Sequence, residues 1–473
     1  MKKFLIYFCF IYEFAISQCV QPVNFQLQKD IPMAFPTLQI NLTARRDTAA
    51  LKPFLYVCAK GSGLVIYNIS TVTSPTLVAT IGISSLQNLH VMNCTQSGNY
   101  LYLALGDHFS ATAQKSGMAI VNISNPASPT VTSTYTYNAT SGAGHVAIEG
   151  NYAYLSAMQN GVIVLDISNK SNIAFVSVFK PSVHFPKPNP NGSELLKINA
   201  RQIVVKNNVL YLSYDAGGVR VIDATNKSSL KETGQYSNPA IINKARAYNN
   251  LILNDTLVYV AADYCGMEIL NVKDTSNITQ LGWWNPWKCE TSSNNWVNSI
   301  GHTNEIEFDN NCNLVFMSAG RSDLFAVNVS NPSLPDSCSR FGIPTDSLGS
   351  WGIGRYKNQI YVSYLITGIP FYANWGGTKI ITYNNNCTVG INELENDGKG
   401  ALYPNPVSNE LFIKSQWYIK QGSFHYKVMN AVGQICMTGI VDKSIDVSAL
   451  PSGIYIIEIY VKDNSFRQKF VKD

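Results

Sequence analysis

Short apolar runs, each closed by Asp or Asn and a polar turn, recur along this chain. They read GLVIYNIS (63–70), GMAIVNIS (117–124), GVIVLDIS (161–168), GVRVIDAT (218–225) and GMEILNVK (266–273). A sixth copy, DLFAVNVS (323–330), starts with Asp323 in place of Gly, and GTKIITYN (377–384) is a degenerate seventh. Segments such as VIVLDI are apolar at nearly every position. A strand with one wet face would alternate, so these strands are expected to be covered on both faces.

An aromatic anchor precedes each run: LYV at Leu55, LYL at Leu101, AYL at Ala153, LYL at Leu210, VYV at Val258, VFM at Val315 and IYV at Ile360. The anchors advance by about 50 residues per step, the scale of the larger propeller repeats. Another short strand lies before each anchor, and a more polar strand follows each turn. The unit is therefore four strands, and stacking of successive units supplies the cover that the apolar strands need. The reading is an all-β chain: a seven-bladed β-propeller of four-stranded blades over residues 18–390. Asn68, Asn122, Asp166, Asp223, Asn271 and Asn328 close the third strands. Their regular recurrence invites a ring of metal ligands, but a short Asx side chain before Ser or Pro is better explained by turn formation.

This pattern resembles the LVIVD-repeat β-propellers, through the G-x-x-I/V-x-D/N-I-S segments and the following N-P-x-x-P at 125–129 and 331–335. The likeness covers roughly residues 50–385 and implies a fold, since that family is defined by its repeat and not by a shared reaction. NKSNIA, NKSSLK and DTSNIT depart from it by lacking both prolines.

The ends give an address. Residues 1–17 carry Lys2 and Lys3, an apolar stretch and Ala15-Ile16-Ser17, the layout of a secretory signal peptide. No later run is long and apolar enough for a membrane-spanning helix. Residues 391–400 are polar and Gly-containing, as linkers are. Residues 401–473 closely resemble the type A C-terminal sorting domain of type IX secretion. The likeness rests on Tyr403-Pro404-Asn405-Pro406, on 430–433 ending in Gly433, on LPSGIY with Gly453 and Tyr455, and on the basic terminal strand. It implies a small β-sandwich recognised by the type IX secretion machinery, and a product secreted by, or held on the outer surface of, a Gram-negative bacterium. Gly433 and Gly453 are expected at turns that need a permissive backbone.

Charged residues are 14% of the chain and the formal net charge is +5. That charge is too small and too dispersed to argue for nucleic acid. Twelve N-x-S/T sequons occur, several coinciding with blade turns, which explains them without modification. Of ten cysteines, Cys9 leaves with the signal peptide and Cys436 belongs to the sorting domain. The eight in the propeller form an even set, as disulfides in an exported chain would. No C-x-x-C occurs. The seventh unit lacks an outer strand, and 23–29 (VNFQLQK) can supply it by closing the ring. That closure would set Cys19 beside Cys387, and a disulfide between them is expected.

Catalytic motifs are absent: no G-x-S-x-G, H-E-x-x-H, P-loop or EF-hand loop occurs. The candidates are positional. Residues entering the inner strands should ring one mouth of the central channel, and these are His90, His145, Arg201, His302 and Trp351. They form either a ligand site or the lining of a wet channel. Trp283, Trp284, Trp287 and Trp296 lie in or beside the aromatic-rich insert GWWNPWKCETSSNNW and suit stacking on sugar rings, or simply packing between blades. Two function classes follow. One is a non-enzymatic surface or secreted protein that binds carbohydrate or protein. The other is a polysaccharide hydrolase or lyase using the channel-mouth histidines, Arg201 and an acid such as Asp263, Glu305 or Glu307. No cofactor is implied.

Overall fold

The computed structural model describes residues 23–33, 42–49, 51–110, 112–140, 142–384, 401–414, 424–430, 433–441, 444–461 and 464–473. The chain divides into two compact units, Met1–Asn386 and Cys387–Asp473. The signal-peptide reading of residues 1–17, the linker 391–400, and both Cys19 and Cys387 lie outside the described residues.

The first unit contains seven four-stranded antiparallel sheets, arranged as consecutive blades. Blade 3 is representative, with strands His145–Glu149, Tyr152–Ser156, Val162–Asp166 and Ala174–Phe179 from channel to rim. Its second and third strands are buried almost throughout, while the outer strand is half exposed. Both faces of the middle strands meet neighbouring blades. Ala153, Leu155, Ile163 and Leu165 pack with Tyr102, Met118 and Ile120 of blade 2, whereas Tyr154, Val162 and Val164 pack with Ile203, Leu210 and Leu212 of blade 4. This two-sided burial is why the runs do not alternate.

The repeat's two signature positions have physical causes. Asn68, Asn122, Asp166, Asp223, Asn271 and Asn328 each accept a hydrogen bond from the backbone N–H two residues on, at 2.8–3.0 Å. They set the turn to the outer strand. In blades 1, 3, 4 and 5 the motif Gly occupies a left-handed conformation against the outer strand. At Gly218 φ is +82°, and a Cβ would lie 2.0 Å from the Tyr236 carbonyl oxygen. Blade 6 has Asp323 there at φ 65°. Its carboxylate fills the space beside Gly342, where a Cβ would lie 2.0 Å from Asp323 Oδ2.

The ring closes through its own beginning. Phe25–Pro32 is the outer strand of blade 7, with Phe25 opposite Tyr383 and Pro32 opposite Gly377. The channel is bridged by a polar network. Glu305 on the blade 6 side accepts from Thr43 Oγ1 (3.1 Å), Arg45 Nη2 (3.2 Å), Asn93 Nδ2 (3.1 Å) and the Ile353 N–H (3.1 Å), joining blades 1, 2, 6 and 7.

Disulfide usage differs from the even-set expectation. Cys265–Cys289 is bonded, and Cys312 and Cys338 are also in disulfides. Cys58 and Cys94 are thiols, buried together in the apolar layer between blades 1 and 2.

The second unit has a three-stranded sheet (Ala401–Tyr403, Glu410–Lys414, Ser444–Asp446) and a four-stranded sheet (Ile435–Val441, Phe424–Asn430, Gly453–Val461, Asn464–Lys472). Val407, Leu411, Val428, Ile457 and Phe470 share its core. Asn405 of the Tyr403-Pro404-Asn405-Pro406 motif accepts from the Val471 N–H at 2.8 Å, tying the motif to the terminal strand. Tyr455 stacks on Phe470 at 5.6 Å and donates to the Pro451 carbonyl. Gly433 takes φ +82° in its turn. Gly453 differs from expectation: it opens a strand without a positive φ, and a Cβ there would meet only the Tyr455 ring at 3.6 Å or beyond.

Candidate functional site

In blades 1, 3, 4, 5 and 6 the hairpin between the second and third strands reaches over to the next blade. The residue three before the motif Gly sits at positive φ and pairs its backbone with the strand entering the following blade. The pairs are Lys60 with Val91, Met158 with Ala200, Asp215 with Tyr248, Asp263 with Thr303 and Gly320 with Ser350. The hairpin residues have φ between 46° and 57°. On the entering strand, the residue after the paired one is Arg201, Asn249, Asn304 or Trp351. Two rings of side chains result: hairpin residues and entry residues.

At blades 4 and 5 the hairpin residues are carboxylates, and there the rings enclose a cavity of about 680 Å³. Asp215, Asp263, Arg201, Asn249, Asn304, His302, Trp296 and Trp351 line it, with Phe109, Lys197, Arg246 and Phe371. An aromatic arc runs round the wall. Trp296 and His302 have ring centroids 5.7 Å apart, His302 and Phe371 5.3 Å, Phe371 and Trp351 6.1 Å, and Trp351 and Phe109 5.0 Å.

His302 Nδ1 lies 2.5 Å from Asp263 Oδ1. A carboxylate only accepts, so Nδ1 carries the proton and Nε2 is the remaining position. That Nε2 is buried and has no partner among the described residues. Trp296 Nε1 donates to the other oxygen of Asp263 at 3.0 Å. Burial pushes Asp215 up to about 6, partly offset by Arg201 and by the hydrogen bond from Asn199 Nδ2 at 3.0 Å. Arg201 stacks over Trp351, 5.8 Å from its ring centroid.

Among the sequence-nominated residues, Arg201, His302, Trp351 and Trp296 converge on this cavity. His90 belongs to a neighbouring cluster, its Nδ1 3.1 Å from Asp107 Oδ2, which Lys60 also contacts at 3.1 Å. Burial opposes ionisation of Asp107, but the His90 and Lys60 hydrogen bonds prevail and hold it down at about 2. His145 is buried on its inner strand and pushed down to about 3 by burial, then by Arg45. Trp283, Trp284 and Trp287 take packing positions. Trp284 is buried between blades 5 and 6 against Trp287 and Phe325. Trp283 donates to the Cys265 carbonyl at 2.8 Å. Glu305 is consumed by the channel network, and Glu307 by Arg45 at 2.8 Å. Asp263 is the nominated acid that faces the cavity.

Sequence reasoning missed Asp215, Asn249, Asn304, Phe109 and Phe371. For Asp215 the signal existed: it stands three residues before its motif Gly, as Asp263 does. Phe371 sits in an irregular segment with no repeat to align it. Among the described residues, no cluster of His, Cys, Asp and Glu has metal-binding geometry, and no helix is long and apolar enough to cross a membrane.

The LVIVD repeat family matches residues 46–81, 90–137, 142–180 and 199–238, and the secretion system C-terminal sorting domain matches 401–473. The sequence matches none of the curated proteins. Among solved structures, the WD40 repeats of RRP9 are similar over 76% of this chain and 100% of theirs, with 11% identity and TM-score 0.53. The Myceliophteria thermophila Cps50 (Swd1) β-propeller domain is similar over 76% and 99%, again at 11% and 0.53. At such identities the likeness is one of fold alone.

Proposed function

For an LVIVD-repeat β-propeller carrying a type IX sorting domain, and so delivered to the cell surface or the extracellular space, we propose a non-enzymatic role in binding carbohydrate at the channel mouth. One observation carries the reading. A continuous aromatic arc from Trp296 to Phe109 faces hydrogen-bonding groups on Asp215, Asn249, Asn304 and Arg201 across a single cavity. Sugars present both surfaces at once, apolar C–H faces and a rim of hydroxyls, and pockets bind by a few oriented polar groups on an apolar wall. The propeller holds Asp215, Asp263, Arg201, Asn249, Asn304 and Trp351 at strand ends and backbone bridges, and Asp263 ties Trp296 of the insert to them. A protein side chain inserted into the same cavity is the competing occupant. The sorting domain's partner is the secretion machinery, separate from this cavity's ligand.

Titration of the full chain with a panel of neutral and charged tetrasaccharides tests this. Trp351→Ala and Trp296→Ala are expected to weaken the best binder about 10- to 30-fold. No saccharide bound at millimolar concentration would remove the proposal. A second reading, a polysaccharide hydrolase or lyase, draws on the Asp263–His302 pair beside the raised Asp215. Its test is release of new sugar ends by the wild type and loss of that release in Asp215→Asn.

A further inference from the structure

Arg201 differs from most of the buried or half-buried guanidiniums in this propeller. Arg45 is held by Glu305 and Glu307, Arg220 by Glu232, and Arg246 by the carbonyls of Ala216 and Ile242. The Arg201 guanidinium has no hydrogen bond or ion pair with any described residue. It lines the cavity, half-buried, with its guanidinium carbon over the Trp351 ring at 5.8 Å from the centroid. Stacking of this kind restrains the guanidinium while leaving its N–H edge open, and that edge matches a carboxylate bidentately.

The second unassigned group is His302 Nε2. Leaving a buried polar atom unsatisfied costs on the scale of a lost hydrogen bond, and such atoms in native structures call for an explanation. Asp263 fixes the ring through Nδ1, so Nε2 of this cavity-lining histidine is the ring nitrogen left without a partner among the described residues. A hydroxyl both donates and accepts, and therefore satisfies Nε2 whether or not that nitrogen carries a proton.

Resting on the carbohydrate reading of this cavity, we infer that the ligand is an acidic sugar: a uronate whose carboxylate pairs with Arg201 and whose hydroxyl meets His302 Nε2. The cavity's own acids leave room for it. Asp263 is occupied by His302 and Trp296. Asp215 is bonded to Asn199, and Lys197 and Arg246 add positive charge to the same lining.

The experiment titrates the full chain with tetramers of galacturonate, glucuronate, mannuronate and guluronate, each as the free acid and as its methyl ester. Esterification removes the charge and keeps the sugar skeleton. At least one free acid is expected to bind ten times or more tighter than its ester. Arg201→Gln is expected to abolish that difference while leaving ester affinity within about threefold, and His302→Asn to weaken acid and ester together. Unchanged melting temperatures show that the variants fold. Equal affinity for acid and ester, or a preference that survives Arg201→Gln, overturns the inference. Neutral tetramers separate the two claims. If they bind and uronates do not, the carbohydrate reading stands without this inference; if nothing binds, both fall.

Discussion

Trp296 donates its indole N–H to Asp263 across 3.0 Å, linking the long insert between blades 5 and 6 to the hairpin of blade 5. The same carboxylate holds His302 at 2.5 Å from its other oxygen. One Asp thus fixes two wall residues that lie 33 and 39 positions further along the chain. The insert is anchored at its start by Cys265–Cys289, a sequence separation of 24.

Removing that anchor should loosen the insert. Cys265→Ser combined with Cys289→Ser is expected to lower stability by about 3 kcal/mol on loop-closure grounds and to weaken any cavity ligand. Denaturant unfolding of the oxidised variant and wild type measures the first effect. An unchanged midpoint would show that packing of Trp284 and Trp287 holds the insert unaided.

The motif glycines make a sharper comparison. Gly218→Ala places a Cβ 2.0 Å from the Tyr236 carbonyl oxygen at φ +82°. Gly98→Ala also has positive φ, +57°, but meets nothing within 4 Å. Backbone strain alone costs about 1 kcal/mol. Gly98→Ala is expected near that figure, and Gly218→Ala at two to three times it, because the outer strand must move. Equal losses in paired chemical denaturation would deny the contact any role.

These glycines mark where the fold was legible in the sequence. Gly63, Gly161, Gly218 and Gly266 share one backbone constraint, and a constraint repeated in four of the seven blades leaves a periodic trace. The Asx turns do the same. The cavity is legible only in part, because it is made where blades differ. Arg201 and Trp351 follow the paired entry residue, while His90 and His302 precede it; on the sequence alone they look like one ring. Trp284 and Trp296 stand in the same aromatic-rich region, yet one is a packing residue and the other a wall. Only the strand end at Trp284, which places its ring against Phe325, separates them. Glu305 resembles a site acid by type, and its four donors come from three other blades, which no local pattern records.

Ring closure by Phe25–Pro32 predicts the effect of shortening the chain. Deleting residues 23–32 exposes the edge of Gly377–Tyr383 and uncovers Ile381 and Tyr383. Loss of cooperative unfolding, or aggregation, is expected, since an open strand edge pairs with other chains. Beyond the register at Phe25 and Tyr383, Cys19 and Cys387 are proposed to form a disulfide. Non-reducing peptide maps of the exported protein should contain the joined fragment, and recovery of both cysteines as free thiols would count against the pairing.

Glu268 is wholly buried between blades 4 and 5. It accepts from Tyr236 Oη at 2.9 Å, Tyr248 Oη at 3.1 Å and Gln280 Nε2 at 3.2 Å. Burial raises it to about 7 despite those hydrogen bonds. Asp323, raised to about 7 by burial, and Asp215, raised to about 6, act in the same sense. In the unfolded chain such groups lose their protons near pH 4. Between that pH and about 7 these three groups hold more protons in the folded chain than in the unfolded one, so their contribution to stability falls as pH rises, against an opposite contribution from His145, which burial pushes down to about 3. The contribution is complete below the unfolded values and is lost as pH climbs through the folded ones, with a limiting slope of about 1.4 kcal/mol per pH unit for each group. Glu268→Gln keeps an acceptor for the two tyrosines and cannot ionise. Urea unfolding at pH 5, 6, 7 and 8 should show wild-type stability declining across the series and the variant declining less, with its largest relative gain at pH 8. A variant whose slope matches the wild type would mean that Glu268 is not the group that keeps its proton on folding.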